Sequence, residues 1–172
     1  GDGASTVAEE IASNGSELGR KVALINLNGS KSSKSDEEAV HHFSSIMQMP
    51  EGQPIACPKS GYLRVDSSGE SARAYELDAR SMRSTLARFR QEFDYVVVDC
   101  PPLIGSNLSE LIISLADQNY VVVRQQKTLR THVDAALDRF DRSGRQPNGV
   151  FLNDRRFIVP KFIYSLFVGR GG

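Results

Sequence analysis

The chain begins with Gly1-Asp2-Gly3-Ala4-Ser5-Thr6, a glycine-rich turn that leads directly into residues with helical periodicity. Such a turn lets backbone N–H groups point at phosphate oxygens, and the dipole of the following helix adds to the attraction. In the usual phosphate-binding loop a lysine reaches the outer phosphates, and the hydroxyl residue after it holds magnesium. Ala4 stands at the lysine position. The hexapeptide predicts a phosphate site without its main positive charge or, more simply, a glycine turn before a helix.

Length and composition indicate one domain with a core of its own. The 172 residues carry 21 basic and 21 acidic side chains, and this balance favours no nucleic-acid partner. No apolar run approaches the length of a membrane span. Cys57 and Cys100 lack metal-site spacing, so we expect reduced thiols and a cytoplasmic protein.

Apolar residues spaced three and four apart predict four main helices. The first covers residues 5–18, although Asn14-Gly15 is a signal that can end it earlier. The second and fourth take their apolar stripes from Met82, Leu86, Phe89 and Phe93 and from Leu129, Val133, Leu137 and Phe140. The third begins at Asn107, which we expect to be its cap, with Glu110 three residues on. The arginines of the second helix are assigned to its solvated face: Arg80, Arg83, Arg88 and Arg90.

Short apolar segments rich in β-branched residues predict the strands. They cover residues 21–27, 62–65, 95–98, 119–124 and 149–153. Residues 29–60 differ, because polar residues dominate their first part and prolines their last part. We interpret them as a loop-rich insertion, with a short helix between Asp36 and Met49.

The alternation of strands and helices predicts the fold class. Several strands are apolar on both faces, which is typical of a mostly parallel sheet with helices on both faces. A phosphate loop normally follows a buried strand, and no such strand precedes Gly1 in this sequence. We therefore interpret residues 1–172 as one domain from the C-terminal part of a longer protein, with the first strand of its sheet missing.

Polar residues stand where the predicted strands end. In parallel sheets ligands bind at the carboxyl ends of the strands, so we expect Gly3, Asn26, Asp99 and Asn153 to lie at one edge. A carboxylate in the position of Asp99 can hold magnesium, directly or through water. The alternative role for Asp99 is in a turn or a helix cap.

Asn26 and Asn28 flank Leu27 at the end of the strand over residues 21–27. An amide keeps the shape and hydrogen bonds of a carboxylate but cannot take a proton near neutral pH. The pair indicates either a site whose acidic residues were replaced or ordinary turn chemistry.

The order of these motifs resembles the bacterial tyrosine kinases of capsule and exopolysaccharide synthesis, P-loop proteins related to the MinD and ParA ATPases. Gly1–Thr6 is similar to the family's Gly-Glu-Gly-Lys-Ser-Thr loop, and Leu24–Asn28 to an apolar run ending in Asp-x-Asp. Phe93–Pro102 resembles the Walker B strand, and Asn148–Asn153 a Gly-Val-x-Leu-Asn strand near the family's end. The resemblance implies a P-loop NTPase-like fold across nearly the whole chain.

The resemblance also implies a nucleotide site. Its contacts with the nucleotide would come from Gly1, Asp2, Gly3, Ser5, Thr6, Asn153 and Arg155, and its magnesium ligands would be Ser5 and Asp99. Ala4, Asn26 and Asn28 occupy positions where the family has lysine and two aspartates, so no residue is assigned a catalytic role. Tyr164 stands alone in a tail where the family clusters tyrosines. We expect a catalytically impaired, kinase-like module that binds ATP or ADP with magnesium weakly or not at all.

The family implies partners as well. They are a membrane chain-length regulator of polysaccharide synthesis or export subunits, at the inner face of the bacterial membrane, and a homo-oligomer is a further possibility. The apolar tail over residues 157–167 belongs either to the core or to a docking surface for a partner or a membrane.

Two alternatives remain open. One is an active ATPase or tyrosine autokinase of the same pathway, with an atypical loop and a lysine from elsewhere, for which Lys21, Lys31 and Lys34 are candidates. The other is a positioning ATPase of the MinD and ParA type.

Overall fold

The computed structural model describes residues 3–28, 41–50, 52–59, 61–67, 79–125 and 127–153. Helices and strands alternate along these residues, as the sequence predicts. In chain order the elements are α1 (Ala4–Glu17), β1 (Val22–Asn26), β2 (His41–His42), α2 (Phe43–Met47), β3 (Leu63–Asp66), α3 (Ala79–Glu92), β4 (Tyr95–Asp99), α4 (Asn107–Leu115), β5 (Tyr120–Arg124), α5 (Arg130–Arg142) and β6 (Gly149–Asn153).

The strands form two hydrogen-bonded groups in which every pair is parallel. The first group has the order β2-β3-β1-β4, and the second pairs β5 with β6. β1 lies between two strands, and all five of its residues are buried. This explains why Val22–Asn26 reads as a continuous apolar run and not as an alternating one.

Helices cover both faces of the first group, which confirms the predicted fold class. Alternate residues of β1 point to opposite faces. Val22 and Leu24 pack with Ala8 and Ala12 of α1. Ala23, Ile25 and Leu27 pack on the other side, in the larger core cluster, with apolar residues from α2, α3 and α4: Phe43, Ile46, Met82, Phe89, Leu108 and Ile112.

α1 continues through Asn14-Gly15, so the signal for an earlier end is wrong. A Cβ on Gly15 would lie 3.0 Å from Cγ2 of Val22, which shows that the glycine lets the helix approach β1 closely. The helix ends at Glu17, and Gly19 follows in the left-handed region with φ 74°. Tertiary packing has overridden a local turn signal here.

The cap of α4 is Ser106, so the prediction that Asn107 caps this helix is wrong. Oγ of Ser106 accepts a hydrogen bond from N of Ser109 at 3.2 Å, and Asn107 is the first helical residue. Glu110 therefore falls one position too late for a capping box. Its carboxylate instead pairs with Arg139 of α5.

Two arginines of α3 bind backbone carbonyls. The assignment to a solvated face is wrong for Arg88, which is half-buried, whereas Arg90 is exposed as predicted. Arg88 donates to the carbonyl oxygens of Ile46, Met49 and Gln53. Arg90 donates to the carbonyl of Leu115 at 2.8 Å. The two guanidinium groups thus attach neighbouring segments of the chain to α3.

The predicted short helix between Asp36 and Met49 is α2, in which Phe43 and Ile46 are buried. Residues 29–40 lie outside the described residues, so the rest of the loop-rich insertion stays a prediction. The two cysteines are free thiols, and burial raises the pKa of Cys100 to about 12. In the described part of the chain, no helix has the length and apolarity that crossing a membrane requires.

Candidate nucleotide site

The carboxyl ends of three neighbouring strands meet at one edge of the first sheet. Asn26 at the end of β1 lies in register with Asp66 of β3 on one side and Asp99 of β4 on the other. N of Leu27 donates to the carbonyl of Asp99 at 2.8 Å, and N of Ser67 donates to that of Asn26 at 2.9 Å. The prediction that Asn26 and Asp99 lie at one edge is confirmed by this register.

The glycine turn lies at the same edge. Gly3 precedes α1 with φ 86°, in the left-handed region, and no side chain caps the helix. A Cβ on Gly3 would lie 1.7 Å from Nδ2 of Asn153, so no other residue fits here without displacing the asparagine. Gly3 and Asn153 are therefore in direct contact, and the first-turn N–H groups of α1 lie at the rim of the sheet.

A short hydrogen bond joins the turn to the Walker B-like strand. Oγ of Ser5 donates to Oδ2 of Asp99 at 2.6 Å. Nδ2 of Asn28 lies 3.5 Å from Oγ of Ser5, which brings the end of β1 to the same point. The two predicted magnesium ligands, Ser5 and Asp99, are thus adjacent.

Asn26 uses its side chain locally. Its Oδ1 accepts a hydrogen bond from N of Asn28 at 3.1 Å and so stabilises the turn after β1. This is the turn chemistry that asparagine performs at strand ends. The amide at position 26 thus serves the backbone, as the simpler interpretation of the pair predicts.

Asp99 is buried and only partly satisfied. It is 4% exposed, and its Oδ1 has no hydrogen-bond partner within the residues that the structure describes. Burial raises the pKa of the carboxyl, and the charge of Glu9 adds to the increase. The hydrogen bond from Ser5 and the charge of Arg64 oppose it. A cation next to Oδ1 would offset the cost of keeping this carboxylate charged.

The residues present fit a magnesium ion. Ser5 and Asp99 offer the oxygen ligands that Mg²⁺ prefers, and the ion commonly takes its other ligands from water and phosphate. Among the described residues no group of three or more His, Cys, Asp or Glu could hold a metal by itself. A metal held by Ser5 and Asp99 would take its remaining ligands from water and phosphate.

Of the three lysines considered for the phosphates, only Lys21 belongs to the described residues, and it lies away from this site. Lys21 is at the amino end of β1, where its N donates to Asp94 at 2.9 Å, so its proposed role at the phosphates is wrong. Lys31 and Lys34 lie outside the described residues. Lys127 follows β5, and it lines the same cleft as Gly3 and Asp99.

An ionic network beside the site was missed by the sequence analysis. Arg64 of β3 pairs with Glu9 of α1 at 3.0 Å and with Asp66 at 3.1 Å. Burial lowers the pKa of Arg64, but the hydrogen bonds and charges of the two carboxylates outweigh it and raise the pKa overall. The network holds α1 against β3 about one turn after Ser5. Asp66 directly follows the predicted strand 62–65, so the strand-end rule could have found it.

Several residues of the predicted nucleotide site belong to parts of the chain that the structure does not describe. Gly1, Asp2 and Arg155 lie outside the described residues, as do Tyr164 and the tail over residues 157–167. Thr6 is exposed in the first turn of α1. The nucleotide contacts assigned to these residues stay predictions.

The chain matches known proteins both in sequence and in fold. The family model "ATPase MipZ" matches residues 1–127. The tyrosine-protein kinase ptk of Acinetobacter johnsonii is 32% identical over 94 residues, which are 54% of this chain and 13% of that protein. The chain thus corresponds to a small part of this relative.

Two solved structures share the fold. The kinase domain of Escherichia coli tyrosine kinase ETK has a TM-score of 0.72 and 18% identity, over 92% of this chain and 66% of that chain. Cobyrinic acid a,c-diamide synthase from Mycobacterium smegmatis, with a bound ATP analogue and magnesium, has a TM-score of 0.62 and 19% identity, over 99% and 78%. The predicted resemblance to bacterial tyrosine kinases and MinD-like ATPases is thus confirmed, and the chain belongs to the MipZ family of ATPases.

Proposed function

We propose that this chain is a catalytically impaired, kinase-like module that binds a magnesium nucleotide weakly at the N-terminus of α1. One observation carries the proposal: the hydrogen-bonded pair of Ser5 and Asp99 stands beside Ala4. The residues suited to magnesium are in place, whereas the position suited to phosphate charge holds a methyl group.

We expect binding without phosphoryl transfer because the site lacks a positive side chain at the phosphates. The first-turn N–H groups of α1 are suited to phosphate oxygens, and Gly3 leaves them open to a ligand. Phosphoryl transfer depends on charge stabilisation in the transition state, and loss of one such donor costs roughly 10²–10³ in rate. Asn26 and Asn28 cannot take a proton from a nucleophile at neutral pH. Weak binding with little or no transfer is the expected result.

Each residue then has a defined role with a nucleotide bound. Ser5 and Asp99 would hold a magnesium ion, which would supply positive charge to the phosphates. Asn26 keeps the turn after β1 in shape through its bond to N of Asn28. Arg64 keeps α1 in position through Glu9. Asn153, which packs on Gly3, and Arg155 are proposed to approach the base.

The cellular role is proposed from the kinase likeness. A module of this kind would act at the inner face of the bacterial membrane, with a polysaccharide chain-length regulator or export subunits as partners, or as a homo-oligomer. There it would regulate capsule or exopolysaccharide synthesis or export. The similarity to the tyrosine-protein kinase of Acinetobacter johnsonii supports the kinase likeness from which this role is proposed.

A second candidate is a positioning ATPase of the MinD and ParA type, which the match to the MipZ family model favours. Such a protein would hydrolyse ATP and change its oligomeric state with the nucleotide. Sustained phosphate release together with ATP-dependent dimerisation would favour this candidate, and the absence of both would favour the impaired module.

The deciding experiment is calorimetric titration of the chain with Mg-ATP and Mg-ADP, together with a phosphate-release assay. We expect a dissociation constant in the high micromolar to millimolar range and no measurable release. Ala4→Lys should tighten binding by roughly tenfold, since one added charge–phosphate contact is worth about 1.5 kcal/mol. Ala87→Lys adds the same charge at an exposed position of α3 and should change nothing.

Two results would contradict the proposal. Micromolar binding with steady turnover by the unaltered chain would show a working enzyme. Failure of Ala4→Lys to improve binding, with no binding at millimolar nucleotide, would show that the turn is a structural feature only.

A further inference from the structure

Three polar side chains form a row at the carboxyl edge of the first sheet. Asp66 of β3, Asn26 of β1 and Asp99 of β4 are register partners in parallel strands. Register partners project to the same face of a sheet, and here that face is the one covered by α1, because Asp99 accepts the hydrogen bond of Ser5. The row thus places one carboxylate on each side of an amide. Asp66 belongs to none of the motifs that carry the family resemblance.

Each carboxylate of this row has one oxygen engaged and one oxygen left over. Oδ2 of Asp66 accepts a hydrogen bond from Nε of Arg64 at 3.1 Å. Oδ2 of Asp99 accepts the bond from Oγ of Ser5 at 2.6 Å. Oδ1 of both carboxylates is enclosed, and neither has a hydrogen-bond partner in the part of the chain that the structure describes. Buried polar atoms are nearly always hydrogen-bonded, so two such oxygens in one row indicate a ligand.

The charges around the row indicate that this ligand is a cation. Arg64 pairs with Glu9 and with Asp66. Burial raises the pKa of Asp99, and the charge of Glu9 raises it further. Three carboxylates therefore act on one another around one guanidinium, which leaves two negative charges uncompensated in a largely buried group. Buried charge is costly unless it is paired, and one divalent cation would supply the missing charge.

The spacing of the two carboxylates suits a hydrated ion. Neighbouring strands are about 4.8 Å apart, so the Cα atoms of Asp66 and Asp99 are separated by roughly 10 Å across β1. Mg²⁺ contacts its ligands at about 2.1 Å, so an ion that contacts Asp99 directly would meet Asp66 through one of its waters. Mg²⁺ gives up its waters reluctantly and usually keeps several of them. Two separated carboxylates therefore fit this ion better than one that needs a closed cage of protein ligands.

We propose that the row binds a hydrated divalent cation in the absence of nucleotide, and that Oδ1 of Asp66 accepts a hydrogen bond from a water of that cation. The direct ligands, Ser5 and Asp99, rest on the proposed function, whereas the role of Asp66 and the independence from nucleotide go beyond it. Asp66 thereby supplies a carboxylate beside Asn26, where the family pattern has an aspartate. The site is then loaded with metal before the nucleotide, which meets positive charge that Ala4 does not supply.

The test uses the nucleotide-free 172-residue chain, with Mn²⁺ as the probe and Mg²⁺ as its competitor. The EPR signal of free Mn²⁺ measures binding. We expect one ion per chain with a dissociation constant of about 0.1–1 mM, the range of weak oxygen sites. Asp66→Asn keeps an oxygen for Arg64 but removes the charge, and it should weaken binding by at least about fivefold. Asp134→Asn removes a charge from an exposed position of α5 and should change nothing.

Paramagnetic broadening of NMR signals locates the ion. At a low ratio of Mn²⁺ to chain, the side-chain amide signals of Asn26 should broaden much more than those of Asn119. Asn119 is the matched control, because its amide is held by the carbonyl of Ile113 just before the amino end of β5. Asp66→Asn should remove most of the broadening at the same ratio. The measurement on the unaltered chain decides the location even if the variant does not fold.

Glu9→Gln separates a direct role of Asp66 from an indirect one. Glu9 is the other carboxylate partner of Arg64, so this variant disturbs the same ionic network but leaves the row of three side chains unchanged. If Asp66 acted only by holding Arg64, both variants should weaken Mn²⁺ binding equally. A direct contact with the hydrated ion predicts a clearly smaller loss for Glu9→Gln than for Asp66→Asn.

Three outcomes would overturn the proposal. Mn²⁺ that binds only when ATP or ADP is present would remove the independent site and leave the proposed nucleotide site intact. Equal binding by the unaltered chain and by Asp66→Asn would assign the ion to Ser5 and Asp99 alone. Equal losses with Asp66→Asn and Glu9→Gln would make Asp66 a partner of Arg64 only. Mn²⁺ binding by a chain that takes up no nucleotide would contradict the proposed function and support this inference.

Discussion

β1 and β4 are adjacent, parallel and equally long, but they differ in their surroundings. All five residues of β1 are buried, whereas only Asp99 of β4 is buried. Among the described strands, β1 has a paired strand on each side, and β4 has one on a single side. An apolar run therefore does not reveal its own burial, because burial depends on the strands that lie beside it.

The polar side chains at the carboxyl ends of β1 and β4 also differ in how fully they are hydrogen-bonded. Asn26 at the end of β1 has its side-chain oxygen satisfied by N of Asn28. Asp99 at the end of β4 keeps one oxygen without a partner in the described residues. β1, which has a paired strand on each side, ends in a residue that stabilises a turn. β4, whose other edge faces the cleft lined by Gly3 and Asp99, ends in the carboxylate best suited to bind an ion.

The largest expected effect comes from truncating the same register position in each strand. Leu24→Ala in β1 should lower the free energy of unfolding by about 3 kcal/mol, because the side chain is fully enclosed and leaves a cavity. Val97→Ala, its register partner in β4, should cost about 1 kcal/mol, because half-buried methyl groups lose less. Urea unfolding measures both. Equal losses would contradict the comparison.

The next effect concerns the strand ends. Asn26→Asp restores the acidic residue of the family pattern, but it places a second buried carboxylate in register with Asp99. We expect the free energy of unfolding to fall by about 2 kcal/mol at pH 7, because two like charges would share one buried site. The loss should be smaller at pH 4, because the repulsion raises the pKa of one carboxyl and that group is then protonated. Asn28→Asp, at a less buried position, is the control and should cost less. Added magnesium should recover part of the stability lost in Asn26→Asp.

A smaller effect should follow from Arg64→Met. The variant keeps much of the side-chain volume but leaves Glu9 and Asp66 without their shared cation. The side chain of Arg64 is largely buried, so we expect the free energy of unfolding to fall by about 1–2 kcal/mol. The pKa of Asp99 should rise further, since the charge of Arg64 lowers it. NMR titration of the Asp99 carboxyl measures this shift, and Arg83→Met on the exposed side of α3 serves as the control.

The smallest expected effect is a gain. Burial raises the folded-state pKa of Asp99 above its ordinary value of 3.8. The contribution of this group to stability is therefore fully present below pH 3.8 and is lost as the pH rises through the folded-state value. Asp99→Asn should flatten this dependence and slightly stabilise the magnesium-free protein at pH 7, because the amide carries no charge to bury. Urea denaturation from pH 3 to pH 8 measures the stability of both proteins. The same pH dependence in both would contradict a raised pKa of Asp99.

Much of the architecture could be predicted from residue patterns. The short apolar segments that form β4, β5 and β6 predict three strands almost to the residue, because each is too short for a helix and is bounded by polar residues. The position of Asn26 and Asp99 at strand ends predicts that they lie at one edge of the sheet, as they do. α5 ends at Arg142, and Gly144 follows in the left-handed region with φ 66°, as is typical of a glycine after a helix.

The errors have a common cause. Gly15 within α1 was interpreted as a turn signal, and Arg88 as a solvated side chain, because local patterns carry no information about distant partners. Gly15 packs on Val22, and Arg88 binds carbonyls some 40 residues away in sequence. The network of Arg64, Glu9 and Asp66 joins α1 to β3 and has no signature in either segment alone.

The amino-acid sequence by itself determined which segments become helices and strands, and it determined that Ala4 follows the glycines of the turn. Both are properties of a residue type and its neighbours in the chain. Only the tertiary structure decided that Ser5 would bond to Asp99, that Gly3 would lie against Asn153, and that β4 and β5 would face a cleft. These depend on residues far apart in sequence, whose approach is set by the register and order of the strands.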